Sequence, residues 1–385
     1  MRLFAPVIAL RRSVVWMTAI CAAVPAIASA QLPSSRSVAS DSQFAGSIRD
    51  ARVLARAVLS NDTLPGLSIA VGIDGRIVWA EGLGWANVER RVPVTPTTRF
   101  RVASVGKTFT AAAAALLSER GRLDLDAPVR TYVPEFPEKA WPVTVRQLLG
   151  HTGGIRDYRG EAEIVSTRRC ENVRQGLDTF SADSLIHAPG TRFQYSNFGY
   201  TLAGGAIQSA ARVPYAEFMR REIFVHLGMQ HTSPELAGQD VPDRATFYVR
   251  TPALAAAPLD DDSCVLPAGG FLSTPSDLVR FGFGLLGGRV LSPSSVQMLW
   301  TAQRLSSGPS TGYGMGWFVR EVRLGADGRT TRMVGHGGSS TGAKTSLMVF
   351  PEQKMVVAVT TNVIVADVAS LAARIAATFH ARTPQ

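Results

Sequence analysis

Five consecutive alanines, 111 to 115, followed by Leu116-Leu117, constrain this chain more than any other stretch. Alanine and leucine are strong helix formers. A helix with such small side chains can pack closely against neighbours on all sides, which predicts a buried helix over 105–120 with Gly121 as its stop. At its mouth stands Phe100-Arg101-Val102-Ala103-Ser104-Val105-Gly106-Lys107. Ser104 falls where the helix begins, and Lys107 one turn later on the same face. A serine hydroxyl is a poor nucleophile until a base takes its proton. A lysine amine can be that base if desolvation and neighbouring cations hold its pKa down. The positive potential and free N–H groups of a helix start favour an oxyanion. Ser-x-x-Lys at the mouth of a buried helix is thus a compact acyl-transfer device.

Most Ser-x-x-Lys pairs are solvated helix faces, so the pair needs context. The chain has four lysines (107, 139, 344 and 354), and Lys107 alone has a serine three residues before it. Gly106-Lys107-Thr108 also resembles the end of a phosphate-binding loop. That motif requires a glycine five residues before Gly106, where this chain has Arg101.

The chain of 385 residues is long enough for about two domains. An apolar fraction of 46% with 18% charged residues does not suggest a disordered chain. Residues 1–30 read as a signal peptide: Arg2, Arg11 and Arg12 precede an apolar run, Ala28-Ser29-Ala30 offers a cleavage site, and no acidic residue occurs. Arg11-Arg12 is a twin-arginine pair, which leaves the export route open. The expectation is a secreted, periplasmic protein. Without those three arginines the count of 40 basic residues falls to 37, against 30 acidic ones. The excess is scattered arginine, a basic solvated surface that does not suggest nucleic-acid binding. No further apolar stretch approaches a membrane span. Six histidines show no metal-ligand spacing, and no metal or cofactor is expected. Cys170 and Cys264 remain after cleavage and can pair in an oxidising compartment.

Taken in order, residues 31–45 read as a flexible leader and Ser47–Leu59 as a helix. Residues 67–73 and 76–81 form a hairpin about Asp74-Gly75. Helices are expected near 143–149, 197–211, 214–227, after Thr274-Pro275, after Ser292-Pro293, and over 365–380. Strands are expected near 313–320, 331–336, 344–350 and 354–361. This order implies an α+β fold, an antiparallel sheet flanked by helices. The sheet domain would comprise 46–125 and 262–381, with a helical insertion at 126–261.

Two further constellations bear on chemistry. Tyr195-Ser196-Asn197 lies just before a helix. A phenol held near two cations could share or relay the Ser104 proton, and the Asn197 amide could donate to and accept from a substrate amide. His336-Gly337-Gly338 closes a strand, and glycines on a strand edge let a substrate backbone approach and pair with it. The N–H of Ser339 could then join that of Ser104 as an oxyanion hole. Gly338-Ser339-Ser340-Thr341-Gly342 matches the nucleophile-elbow pattern, but the elbow needs a helix after it and 345–350 reads as a strand.

Ser104-x-x-Lys107, Tyr195-x-Asn197 and His336-Gly337-Gly338, 91 and then 141 residues apart, resemble the motifs of the serine β-lactamase and penicillin-binding family. The likeness is to the class C-type branch, and within it to the mitochondrial serine β-lactamase-like proteins and their bacterial relatives. The segments 100–108, 132–137, 151–158 and 269–278 carry it, over roughly residues 50–375. The resemblance implies a β-lactamase/transpeptidase-like fold, with Ser104 as acylated nucleophile, Lys107 as its base and Tyr195 assisting. It implies that Asn197, His336, Gly337, Gly338 and Ser339 hold a small-molecule or short-peptide substrate. β-Lactamase, peptidase and carboxylesterase activity all fit it, and a slow-turnover penicillin-binding or interaction protein is the alternative. His336 stands where many β-lactamases carry lysine. A histidine of ordinary pKa, about 6.5, is mostly neutral at pH 7.5, which disfavours substrates whose carboxylate needs a full charge. Oligomeric state is left open.

Overall fold

The computed structural model describes residues 36–258, 260–325 and 329–381. The expected signal peptide, 1–30, lies outside the described residues. In chain order, Arg36–Ser40 forms β1, Ala45–Asn61 forms α1, and Gly66–Ile73 and Arg76–Asn87 form β2 and β3. Helices follow at Gly106–Glu119 (α2), Val145–Leu149 (α3), Asn197–Ala211 (α4), Pro275–Leu286 (α5) and Pro293–Leu299 (α6). Strands Phe318–Arg323 (β4), Thr330–Ser340 (β5), Ala343–Phe350 (β6) and Met355–Thr361 (β7) lead to helix Val368–His380 (α7). The sheet runs β1-β3-β2-β7-β6-β5-β4, antiparallel at every step.

Local chemistry accounts for the boundaries. Asp74 and Gly75 both have positive φ (50° and 81°), the conformation a two-residue hairpin needs to match strand twist. α3 opens with a capping box between Thr144 and Gln147, and α5 with the Thr274 side chain accepting from the Asp277 N–H ahead of Pro275.

The middle strand β7 explains the layering. Met355, Val357 and Val359 join one buried cluster with Ile48 of α1 and Ile375 of α7. Their alternates Val356 and Ala358 join another with Phe109 of α2 and Leu278 of α5. Both faces of the sheet are therefore covered, and α2 is buried along its length from Gly106 to Leu117. The stretch 126–261, expected as a helical insertion, carries α3 and α4 and three short strands, Ser233–Pro234, Tyr248–Arg250 and Leu254–Ala256. Its Leu148 and Ala203 belong to the same continuous core as Phe109 and Val349.

Three expectations change. The leader 31–45 is not loose throughout: Arg36–Ser40 pairs with β3 as an edge strand, which polar residues tolerate because a strand needs only its backbone to pair. The strand expected near 313–320 begins at Phe318. Gly312 and Gly316 have positive φ (67° and 82°), and a Cβ at Gly316 would lie 2.9 Å from the Lys107 carbonyl oxygen, so this segment bends against α2. Finally, β5 does not close at His336-Gly337-Gly338 but runs on to Ser340 and carries the motif inside it. His336 pairs with Leu347, Gly337 with Ser346 and Gly338 with Thr345. Cys170 and Cys264 are joined in a disulfide. No helix among the described residues is long and apolar enough to cross a membrane.

Candidate active site

The site forms where the start of α2 meets β5 and the start of α4. Ser104 lies in a 3₁₀ turn, Ala103–Val105, which runs directly into α2. Glycines make the close approaches. A Cβ at Gly338 would stand 2.1 Å from the Val102 carbonyl oxygen, and one at Gly269 would stand 2.4 Å from that of Ala103. The turn is thus held between β5 on one side and the Ala268-Gly269 backbone on the other.

Lys107 has no exposed surface. Its Nζ lies 3.1 Å from Ser104 Oγ, 2.6 Å from Asn197 Oδ1 and 2.8 Å from the Ala268 carbonyl oxygen. Burial pushes its pKa from 10.5 down to about 7, against the carboxylates of Asp157 and Asp262, which raise it. The neighbouring cations anticipated from sequence are absent as a cause: desolvation does the lowering. This geometry suits a neutral amine. Two N–H groups satisfy the Asn197 and Ala268 acceptors, and the remaining lone pair then faces Ser104, reversing the direction of the 3.1 Å contact.

Burial pushes the Tyr195 phenol well above the ordinary 10, against the neighbouring Ser104 hydroxyl, which lowers it. The Lys107 Nζ lies 4.9 Å from the centre of its ring. Tyr195 is therefore a neutral phenol, able to pass a proton but not to act as a resident phenolate. Ser196 caps α4 through its side chain, which accepts from the Gly199 N–H. Asn197 opens the helix with its carbonyl oxygen on Lys107 and its Nδ2 donating to Asp157 Oδ1 at 3.0 Å. Its carbonyl oxygen already accepts from Lys107 and its Nδ2 already donates to Asp157, so the Asn197 amide has one lone pair and one N–H left to offer a ligand.

His336 departs further from expectation. It is 4% exposed, with Nε2 3.0 Å from the Tyr313 hydroxyl and Nδ1 2.6 Å from the Gly337 carbonyl oxygen. The carbonyl can only accept, so Nδ1 carries the proton and Tyr313 donates to Nε2. Burial and the Lys107 charge push its pKa to about 3, against the Gly337 hydrogen bond, which raises it. Neither nitrogen is free for a substrate carboxylate; the ring is a neutral structural element. A cation does line the same cavity of about 430 Å³: Arg320 of β4, exposed, with its guanidinium 5.0 Å from the Phe318 ring centre.

Ser104, Tyr195, His336, Gly337, Gly338 and Ser339 line that cavity together. β4 pairs with β5 only as far as Gly335. Among the described strands, none covers the outer edge of Gly337–Ser340, and Gly337 and Ser339 are exposed. An extended ligand can add there as a further strand.

Sequence reasoning missed Asp157, which orients the Asn197 amide, and Tyr313, which occupies His336. It also missed the Ala268 carbonyl, which no side-chain pattern could announce. Asp157 lies in a segment recognised for its likeness, but nothing in its spacing marks it as a partner of Asn197, 40 residues on.

Comparisons with known proteins identify the family and the fold. A beta-lactamase family model matches residues 52–378. The human mitochondrial serine beta-lactamase-like protein LACTB is 31% identical over 400 residues, covering 80% of this chain and 73% of that protein. The octameric penicillin-binding protein homologue from Pyrococcus abyssi superposes with a TM-score of 0.74 at 26% identity, covering 87% of this chain and 77% of that one. A D-amino acid amidase from Ochrobactrum anthropi SV3, complexed with D-phenylalanine, gives 0.74 at 23% identity over 87% and 100%, a likeness of fold. With its three motifs gathered on the fold these proteins share, the chain belongs to the beta-lactamase family.

Proposed function

We propose that the protein is a secreted, periplasmic serine hydrolase that cleaves small esters, amides or short peptides through an acyl-enzyme on Ser104. One observation carries this reading. A fully buried lysine amine near neutral pKa is held by two carbonyl acceptors so that its third position meets the Ser104 hydroxyl at 3.1 Å. Lys107 takes the Ser104 proton as Oγ attacks the substrate carbonyl carbon. The N–H groups of Ser104 and Ser339 receive the oxyanion. Collapse breaks the bond to the leaving group, which takes a proton passed from Lys107 through the Tyr195 phenol. Water then attacks the acyl carbon, its proton passing through the Tyr195 phenol to Lys107. Collapse breaks the bond to Ser104 Oγ, Lys107 returns the proton to that oxygen, and the acid leaves.

The neutral, internally bonded His336 favours uncharged substrates over those that need a cation at that position. The test is intact-mass spectrometry with turnover assays, using a nitrophenyl ester and a penicillin on wild type and Ser104→Ala. The expected result is steady ester turnover with a transient acyl mass on wild type and neither on Ser104→Ala. An acyl mass that persists without steady turnover would favour the slow penicillin-binding alternative. Turnover or labelling retained in Ser104→Ala would refute both.

A further inference from the structure

We propose that His151 is a positioning residue that clamps Tyr195 onto Ser104; this rests on reading Ser104, Lys107 and Tyr195 as the acyl-transfer unit. His151 follows the last turn of α3, with φ of 56°, in the left-handed region. Its N–H reaches the Leu148 carbonyl, and the Thr152 N–H reaches that of Gln147, so the backbone closes the helix. Glycine or asparagine is the usual choice there. A histidine departs from the local rule, and its side chain must be wanted for something else.

What the residue does is take the amide groups on both sides of Tyr195. Its carbonyl oxygen accepts from the Gln194 N–H at 2.8 Å, and its Nδ1 accepts from the Ser196 N–H at 3.1 Å. Its ring lies 4.1 Å from the Tyr195 ring, tilted by 33°. Backbone before, backbone after and ring between are all held by this one side chain and its own carbonyl. Gln194 is exposed and Phe193 only half-buried, so the segment has little apolar burial of its own to place the phenol.

The clamp works in one tautomer. An Nδ1 that accepts leaves the proton on Nε2, and Nε2 is buried with no hydrogen-bond partner. The ring is 2% exposed. A left-handed backbone and an unsatisfied donor at one residue are two departures from good local structure, and such departures gather at functional positions.

The test compares two variants of similar size. In His151→Asn, Oδ1 takes the covalent place of Nδ1 and the left-handed backbone is tolerated. His151→Leu has neither property. We expect His151→Leu to lower ester kcat about 100-fold with KM little changed, and His151→Asn to stay within about tenfold of wild type. In a Tyr195→Phe background, His151→Leu should cost no more than about a further threefold, because the two act as a unit. An equal loss in both backgrounds overturns the proposal.

Two readouts are independent of activity and separate this proposal from the assignment of function. In protein carrying ¹³Cζ-tyrosine, the resonance assigned by Tyr195→Phe should hold in His151→Asn and move toward free tyrosine in His151→Leu. An unmoved resonance in both counts against the clamp. In wild type, ¹⁵N-histidine spectra should show His151 protonated at Nε2, and a proton on Nδ1 overturns the proposal without any variant. If wild type forms no acyl-enzyme at all, the functional reading fails while these spectra still decide the clamp.

Discussion

The acid limb of the rate profile is the sharpest consequence of the site. Lys107 must be neutral to accept the Ser104 proton, and its pKa is lowered from 10.5 to about 7 by burial. At pH 7 about half of the molecules then hold a usable base, against roughly one in three thousand at an unshifted pKa. The difference is about three orders of magnitude in competent enzyme, or roughly 5 kcal/mol at 1.36 kcal/mol per pKa unit. Acylation, read as kcat/KM or as burst rate with a nitrophenyl ester, should rise with pH, with a midpoint near 7, and fall about tenfold per pH unit well below it. Neither His336 nor His151 can produce this limb, since burial holds both below the ordinary histidine range.

Asp262 can, because burial raises its carboxyl to about 7 in a second pocket that also reaches Ser104 and Asn197. The variant Asp262→Asn separates the two. Asp262 favours the lysine ammonium, so its loss should lower the Lys107 pKa. The limb then shifts to lower pH, with the plateau rate retained. A limb that vanishes in Asp262→Asn belongs to the carboxylate, and a wild-type rate flat from pH 5 to 9 refutes the lysine-base argument outright.

Two other outcomes follow from the geometry. Gly338→Ala places a methyl group 2.1 Å from the Val102 carbonyl oxygen and must drive β5 away from the Ser104 turn. A shift of about 1 Å is enough to cost on the order of 100-fold in kcat/KM, with the far-ultraviolet circular dichroism unchanged; activity within about threefold of wild type would contradict the close approach. Arg320→Gln should lower kcat/KM about tenfold for an ester bearing a free carboxylate while sparing its neutral methyl-ester analogue. His336→Lys should not improve the charged substrate, because the ring it replaces is spent on Tyr313 and Gly337.

How much of this could be read from residues alone differs by element, for physical reasons. The alanine run, the Asp74-Gly75 hairpin and the capped helices are local events, set by propensity and by backbone groups a few residues apart, and they appear where the sequence places them. The pairing of Ser104 with Lys107 is equally local, since one helical turn brings them together. The order of the three motifs along the chain was enough to indicate the family.

Burial and partner choice are not local. That Lys107 loses all contact with water depends on α4 and the Ala268 backbone closing around it from 90 and 161 positions away. His336 looked like a residue that titrates near neutrality, and only the fold encloses it and sets Tyr313 against its Nε2. Asp157 and His151 are ordinary loop residues in the sequence, and they acquire their roles from the N-terminus of α4, where Ser196 and Asn197 meet them. Sequence by itself determined which groups could do the chemistry. Their protonation, and which hydrogen bonds they have left to offer, were decided by tertiary packing, because desolvation is a property of everything that surrounds a group.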